Sequence, residues 1–283
     1  MKPPIFDYAK PADLAEALRL KADHGDGGTF IAGGQSLVAT LNMRLSSPDI
    51  LIDIGGVEEL AGIEVSAGRV RIGALTRHRE LEDSADIAAH APLIAQAIRQ
   101  VAHPAIRNRG TIGGSIAFAD PAAELPACVL ALNGEIEIAG PDGRRKVAAG
   151  DFFKGLYDTD LGSGEIITAV TLPRPVKAKH LYRKVRERSS YAFALVSVAA
   201  IVAVEDGVIA RADLAFGGLA HKPWHDARLS ELLVGEAPSA ALFDKAGDLL
   251  LEGARGYGEN DFKIPLARRT LAAVMAEATE TEI

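Results

Sequence analysis

The spacing of apolar positions changes repeatedly along the first fifty residues, and each change marks a new element. Over residues 11–23, Leu14, Ala17, Leu18 and Ala22 recur three and four apart with Gly25 just beyond, which predicts an amphipathic helix stopped by glycine. Thr29-Phe30-Ile31-Ala32 is an unbroken strand-like run. After Gly33-Gly34 the apolar residues Leu37, Leu41 and Leu45 return every fourth position, so a helix starts directly behind a glycine loop. Ile50-Leu51-Ile52-Asp53-Ile54 predicts a second strand, and the stretch up to Gly55-Gly56 reads as an αβαβ unit.

Beyond those glycines the pattern turns to hairpins. Ile63-Glu64-Val65 and Val70-Arg71-Ile72 flank the turn Ser66-Ala67-Gly68, residues 92–101 predict a helix with Pro92 in its first turn, and strands are expected over 135–138 and 166–171. The segment 103–110, His-Pro-Ala-Ile-Arg-Asn-Arg-Gly, is rich in breakers and predicts an irregular loop ordered by a ligand. Pro173-Arg174-Pro175 fits neither a ladder nor a helix and marks a linker. Strands are then expected over 180–185, 193–204 and 208–219, followed by helices over 228–234, 239–252 and 265–278 that cover one face of the small sheet. The expected units are therefore 1–55, 56–175 and 176–283, with no internal repeat.

Composition narrows the class. The 283 residues are 48% hydrophobic and 24% charged, so the chain is expected to fold throughout. A net charge of -7 argues against general attraction to nucleic acid or anionic lipid, which makes any phosphate recognition local. The single cysteine, Cys128, excludes an internal disulfide and cannot supply the four thiolates of an iron–sulfur cluster. It lies in the apolar run Leu125-Pro126-Ala127-Cys128-Val129-Leu130 and reads as a small buried hydrophobe. The first residues lack an apolar leader, and the longest apolar stretch, 192–204, is shorter than the roughly 20 residues that span a bilayer. A cytoplasmic protein without membrane insertion is expected.

The candidate chemistry lies in two loops, Ala32-Gly33-Gly34-Gln35-Ser36 and Thr111-Ile112-Gly113-Gly114-Ser115. Paired glycines let the backbone take positive φ and turn successive N–H groups toward one point, and the missing Cβ lets a bulky anion approach. Two such loops suggest two phosphates, hence a dinucleotide, and each charge-assisted hydrogen bond stabilises by about 1.5 to 3 kcal/mol. The first loop also has a helix N-terminus behind it. No Walker loop and no Gly-x-Gly-x-x-Gly fingerprint occurs. His221 and His225 are separated by Pro223 and Trp224 and have no third ligand, so no metal site is expected; nor is any catalytic nucleophile or carboxylate pair.

With both loops in place, the segment Ile106-Arg107-Asn108-Arg109-Gly110-Thr111-Ile112-Gly113-Gly114-Ser115, running on to Ala119-Asp120-Pro121-Ala122-Ala123-Glu124-Leu125-Pro126, resembles the FAD-binding medium subunit of heterotrimeric molybdenum hydroxylases. Carbon monoxide dehydrogenase and xanthine dehydrogenase belong to that family. The resemblance covers essentially the whole chain. It implies an α+β fold: the two-lobed FAD-binding type of the vanillyl-alcohol oxidases (PCMH type) with an appended C-terminal α+β domain of a small antiparallel sheet and helices.

It also implies FAD in this chain, with the diphosphate held by Ala32, Gly33, Gly34, Gln35, Ser36 and Leu37 and by Thr111, Ile112, Gly113, Gly114 and Ser115. Many relatives carry asparagine where Ser115 stands, and serine reaches less far. Glu124 corresponds to an acidic residue on the cofactor; read locally, it is equally an acid at a helix start behind Pro121. Lys184 corresponds to a lysine that contacts flavin, and a solvated strand lysine is the plain alternative. Ile167 matches an apolar position near the ring or is an ordinary core residue, and Tyr191 either gates oxidant access or packs at the rim. Arg107 and Arg109 are within sequence reach of a diphosphate or are simply solvated.

The implied assembly has a small subunit with two [2Fe-2S] clusters, a large molybdopterin subunit and an external electron acceptor, arranged as a dimer of heterotrimers. Two other classes stay open on the residues alone: a free-standing flavin-dependent oxidoreductase of the same fold, and a nucleotide-binding module without redox function.

Overall fold

The computed structural model describes residues 2–282. The chain begins with β1 (Asp7–Ala9), α1 (Leu14–His24), β2 (Gly28–Ile31), α2 (Leu37–Asn42) and β3 (Ile50–Asp53), forming a parallel sheet in the order β1-β3-β2. Asp13 caps α1 by accepting from the Glu16 N–H at 2.8 Å. At the other end the Lys21 ammonium binds the carbonyls of Gly25 and Gly28, both at 2.7 Å. The apolar stripe of α1 buries Leu14 and Ala17 against Ile52 and Ile54. The expected αβαβ unit thus gains a leading strand. β1 has no apolar alternation of its own and exists through its pairing with Ile50, Leu51 and Ile52.

The middle of the chain starts with the hairpin β4 (Ile63–Ser66) and β5 (Arg69–Gly73). Short helices follow: α3 (His78–Asp83), α4 (Ala85–His90), α5 (Pro92–Ile98), α6 (Pro104–Arg107), α7 (Ile112–Phe118) and α8 (Glu124–Ala131). The chain then returns through β6 (Glu135–Gly140), β7 (Gly143–Ala148), α9 (Ala149–Phe152), β8 (Phe153–Gly155), β9 (Asp158–Thr159) and β10 (Ile166–Leu172). The antiparallel sheet runs β4-β5-β10-β6-β7, so β10, last in sequence, is central and buried along its whole length. That placement fits its run of apolar and β-branched residues, in which Thr168 and Thr171 are buried as well. A bulge at Thr168 interrupts its pairing with β6 between Ile167 and Ala169.

The segment 103–110 departs from expectation. It contains α6, opened by Pro104, and its order comes from the protein: the buried Arg107 guanidinium binds Glu82 Oε2 at 2.8 Å and the Val101 carbonyl at 2.9 Å. A buried cation forces a short breaker-rich segment into one conformation because leaving it unpaired costs several kcal/mol.

The last part contains β11 (Lys179–Val185), β12 (Val196–Glu205) and β13 (Val208–Gly217) in an antiparallel sheet of that order, then α10 (Ala227–Leu233), α11 (Ala240–Leu250) and α12 (Lys263–Thr279). Val198, Ala200 and Val202 of β12 face the helices, packing with Phe243, Leu271 and Val274. Their alternates Ala199 and Ile201 join the core of the middle unit. Gln96 of α5 stitches that seam, donating to the His180 carbonyl at 2.6 Å and accepting from the Tyr182 N–H at 3.1 Å. The strand expected over 193–204 begins at Val196, because residues 193–195 belong to the loop before it.

Candidate functional site

The two glycine loops meet. A Cβ on Gly33 would strike the Arg109 carbonyl and come within 2.9 Å of Gly110 Cα, so only glycine allows the first loop to lie against the approach to the second. The second loop is pressed equally closely onto β5 and its extension: Gly113 N–H donates to the Ala74 carbonyl at 2.8 Å and Ile112 N–H to Thr76 at 3.2 Å. Thr111 Oγ1 caps α7 through the Gly114 N–H at 3.1 Å. Between the loops runs a cleft of about 630 Å³, lined by β2, the bulged end of β10 and the loop before β12, and walled by Leu75, Val101, Ile106, Leu161 and Ile166 among others. This is the size and largely apolar character of a small-molecule or cofactor site.

The loops differ in what they offer. In the second, the N–H groups of Ile112, Gly113, Gly114 and Ser115 all donate within the protein, Ser115 to the Thr111 carbonyl at 3.0 Å. The expectation that both loops turn free N–H groups toward a ligand is therefore corrected. Close packing, rather than anion binding by the backbone, accounts for Gly113. In the first loop, by contrast, the backbone N–H groups of Gly33, Gly34, Gln35 and Ser36 find no acceptor among the described residues. Gly34 has φ +70°, the conformation that aims successive amides to one side. The Gln35 side chain folds back within the loop and donates to the Gly33 carbonyl at 3.0 Å.

Ala32, Gly33, Gly34, Gln35, Ser36, Leu37, Thr111, Gly113, Gly114, Ser115, Glu124 and Ile167 all line the cleft. Ile167 reaches it next to the β10 bulge, a device that re-aims a side chain. Ile112 is buried beneath the loop. Glu124 is the first residue of α8 and is itself buried; its Oε1 accepts from Lys184, while Oε2 takes no hydrogen bond among the described residues. Burial pushes this carboxyl upward, and the adjacent Lys184 ammonium pulls against that rise.

Lys184 is neither on the cleft wall nor solvated. Its side chain is fully buried behind Glu124. Tyr191 stands outside the cleft, half-exposed, packed edge-on against Phe193 with ring centroids 6.4 Å apart; Phe193 is the aromatic that lines the wall. Arg107 is consumed by Glu82, and the exposed Arg109 presents its carbonyl to Arg77 Nη1 at 2.5 Å.

Some cleft residues had no signal in the sequence. His78 opens α3, is buried against Gly110 and Thr111, and has no well-formed hydrogen bond on either ring nitrogen. Burial lowers its pKa to about 4, with Arg107 and Arg77 adding to the effect against an opposing contact with the Thr111 backbone. Phe118 lines the cleft and packs against Tyr157 with centroids 5.0 Å apart and ring planes tilted by 48°, a pairing between residues far apart in sequence. Cys128 is buried and its thiol is raised by desolvation, consistent with inert packing. Among the described residues no group of His, Cys, Asp or Glu could hold a metal, and no helix is long and apolar enough to cross a membrane.

Fold and cleft together define an FAD-binding protein with an appended α+β domain. Residues 4–175 match the family described as "FAD binding domain in molybdopterin dehydrogenase", and residues 180–278 match "CO dehydrogenase flavoprotein C-terminal domain". The carbon monoxide dehydrogenase medium chain of Afipia carboxidovorans is 33% identical over 97% of this chain and 95% of its own. The glyceraldehyde dehydrogenase medium chain of Sulfolobus acidocaldarius is 37% identical over 83% of each. Among solved structures, quinoline 2-oxidoreductase from Pseudomonas putida 86 superposes with a TM-score of 0.92 at 35% identity, covering 99% of both chains. The chain belongs to the FAD-binding medium subunits of the molybdenum hydroxylases, the family of the carbon monoxide dehydrogenases. It is an oxidoreductase subunit.

Proposed function

We propose that this chain holds one FAD along the cleft and passes electrons from the [2Fe-2S] clusters of a small partner subunit to an external acceptor. A large molybdopterin subunit would oxidise the substrate, and the complex would be a dimer of heterotrimers. Its compartment is the cytoplasm, and its units divide at 55/56 and 175/176. Relatives named as medium chains or FAD-binding subunits support this reading. When bound, FAD supplies an electron carrier that takes up and releases electrons in separate steps; the protein supplies binding, orientation and tuning.

The observation that carries the reading is the row of unpaired N–H groups from Gly33 to Ser36 opening onto a cleft shared with the second loop. Those amides, with the N–H of Leu37 at the start of α2, would hold the diphosphate. Thr111 and Ser115 would add hydroxyl contacts, and Ile112 would support the loop from beneath. Glu124 Oε2 would accept from a ligand hydroxyl or ring N–H, Ile167 would wall the ring, and Tyr191 would govern the rim through Phe193. None of these is assigned a catalytic role.

Purifying the chain with and without its co-expressed partner subunits, and recording flavin absorption before and after reductant, tests the reading. Bound flavin that a chemical reductant bleaches in every preparation, but that the partners' substrate bleaches only when the partner subunits are present, is the expected result. A chain that never takes up FAD would overturn it. Turnover of a donor by the lone chain would instead establish the free-standing oxidoreductase.

A further inference from the structure

We propose that Lys184 is a positioning residue, which leaves the cofactor untouched and instead fixes the Glu124 carboxylate and the Ala192–Phe193 rim where they meet it. The inference rests on the reading that the cleft binds FAD.

An ammonium has three N–H donors, and all three of Lys184 are committed. One goes to Glu124 Oε1, one to the Gln100 carbonyl at 3.0 Å and one to the Ala192 carbonyl at 2.5 Å. With no exposed side-chain surface and no place on the cleft wall, Lys184 has nothing left to offer a ligand without surrendering one of these acceptors. The acceptors come from three parts of the chain: the residue pair after α5, the first turn of α8, and the loop between β11 and β12.

Each bond has a consequence at the cleft. Binding Oε1 orients the carboxylate so that Oε2 is the oxygen left for the cleft. Binding the Ala192 carbonyl holds the loop whose next residue, Phe193, forms the wall. The same ion pair keeps a buried carboxylate compensated beside the neutral Cys128 and Tyr182, whose ionisation Glu124 and burial both oppose. Glu124 and Lys184 are 60 positions apart, so the pair also locks the C-terminal sheet to the FAD-binding part.

The test is a double-mutant cycle on the full chain, read by FAD dissociation constant and by the visible circular dichroism of bound flavin, with thermal melting as the folding control. K184M is expected to weaken FAD at least tenfold and alter the dichroism, and E124Q to do the same. The double variant E124Q/K184M should be no worse than K184M within about twofold, since the loss at Glu124 is already contained in the loss of Lys184. Limited proteolysis of the ligand-free protein within 186–194 should rise in K184M and not in E124Q. Losses in the double variant that multiply, or an unchanged dissociation constant and unchanged proteolysis in K184M, would overturn the proposal. If K184M fails to fold, E124Q/K184Q, which leaves no unpaired buried charge, carries the same rim-proteolysis comparison. Wild-type chain that binds no FAD would sink the cofactor reading, while the proteolysis arm would still judge the clamp.

Discussion

The α-carbon of Gly33 faces the carbonyl of Arg109 so closely that no side chain fits between them, and the two glycine loops are in contact before any ligand arrives. Gly33→Ala must push the loops apart. Overpacking of this kind costs about 1 to 3 kcal/mol. Melting temperature should fall accordingly, and flavin bound per chain, measured by visible absorption, should drop more than tenfold.

Arg107 and Arg109 sit two residues apart with opposite fates. Removing the buried Arg107 takes away the nearer of Glu82's two cationic partners and leaves only the half-exposed Arg79 at 3.5 Å, so Arg107→Ala should destabilise by about 3 kcal/mol in denaturant unfolding, the low end for breaking a buried pair. Arg109→Ala keeps the carbonyl that Arg77 binds and should stay within about 0.5 kcal/mol. Equal losses for the two would contradict this assignment.

His78 gives the protein a predictable acid sensitivity. Its folded pKa of about 4 lies below the model-compound value of 6.5, so between these pH values the unfolded chain holds the extra proton. Its contribution is fully present above pH 6.5 and is lost as pH falls toward 4, amounting to about 3 kcal/mol. His78→Gln should flatten that part of the stability–pH curve; an unchanged slope would show that other groups set it.

Thr111 serves stability as well as binding, Ser115 binding alone. Thr111→Val removes the cap on α7 and should cost about 1 kcal/mol. Ser115→Ala should leave stability within about 0.5 kcal/mol and weaken FAD several-fold, because Ser115 lines the cleft and its hydroxyl makes no hydrogen bond among the described residues. Ser115→Asn, with its longer reach, should restore or tighten binding. Isothermal titration with FAD and thermal melting distinguish the two outcomes.

Much of the fold was legible because local periodicity and breakers were strong. The helix that became α1, the hairpin β4–β5, the strands β12 and β13 and the C-terminal helices follow from spacing alone. Residues 103–110 misled because breaker content reports what the backbone avoids, whereas Arg107 and Glu82, 25 positions apart, decide what it adopts. β1 was invisible for a related reason: three residues cannot advertise a strand whose stability lies in its partner.

The chain's own text determined which residues are chemically equipped: paired glycines at two sites, an acid at Glu124, a lysine at Lys184, a thiol confined to an apolar run. Folding decided their division of labour. Both loops carry the same glycine pair, yet Ala74, Thr76 and Thr111 consume the amides of one, while those of the other find no acceptor among the described residues. Lys184 turned from a candidate ligand contact into a fully paired buried cation. Hydrogen-bonding capacity is written residue by residue, but which donors remain unspent depends on neighbours that only long-range packing supplies.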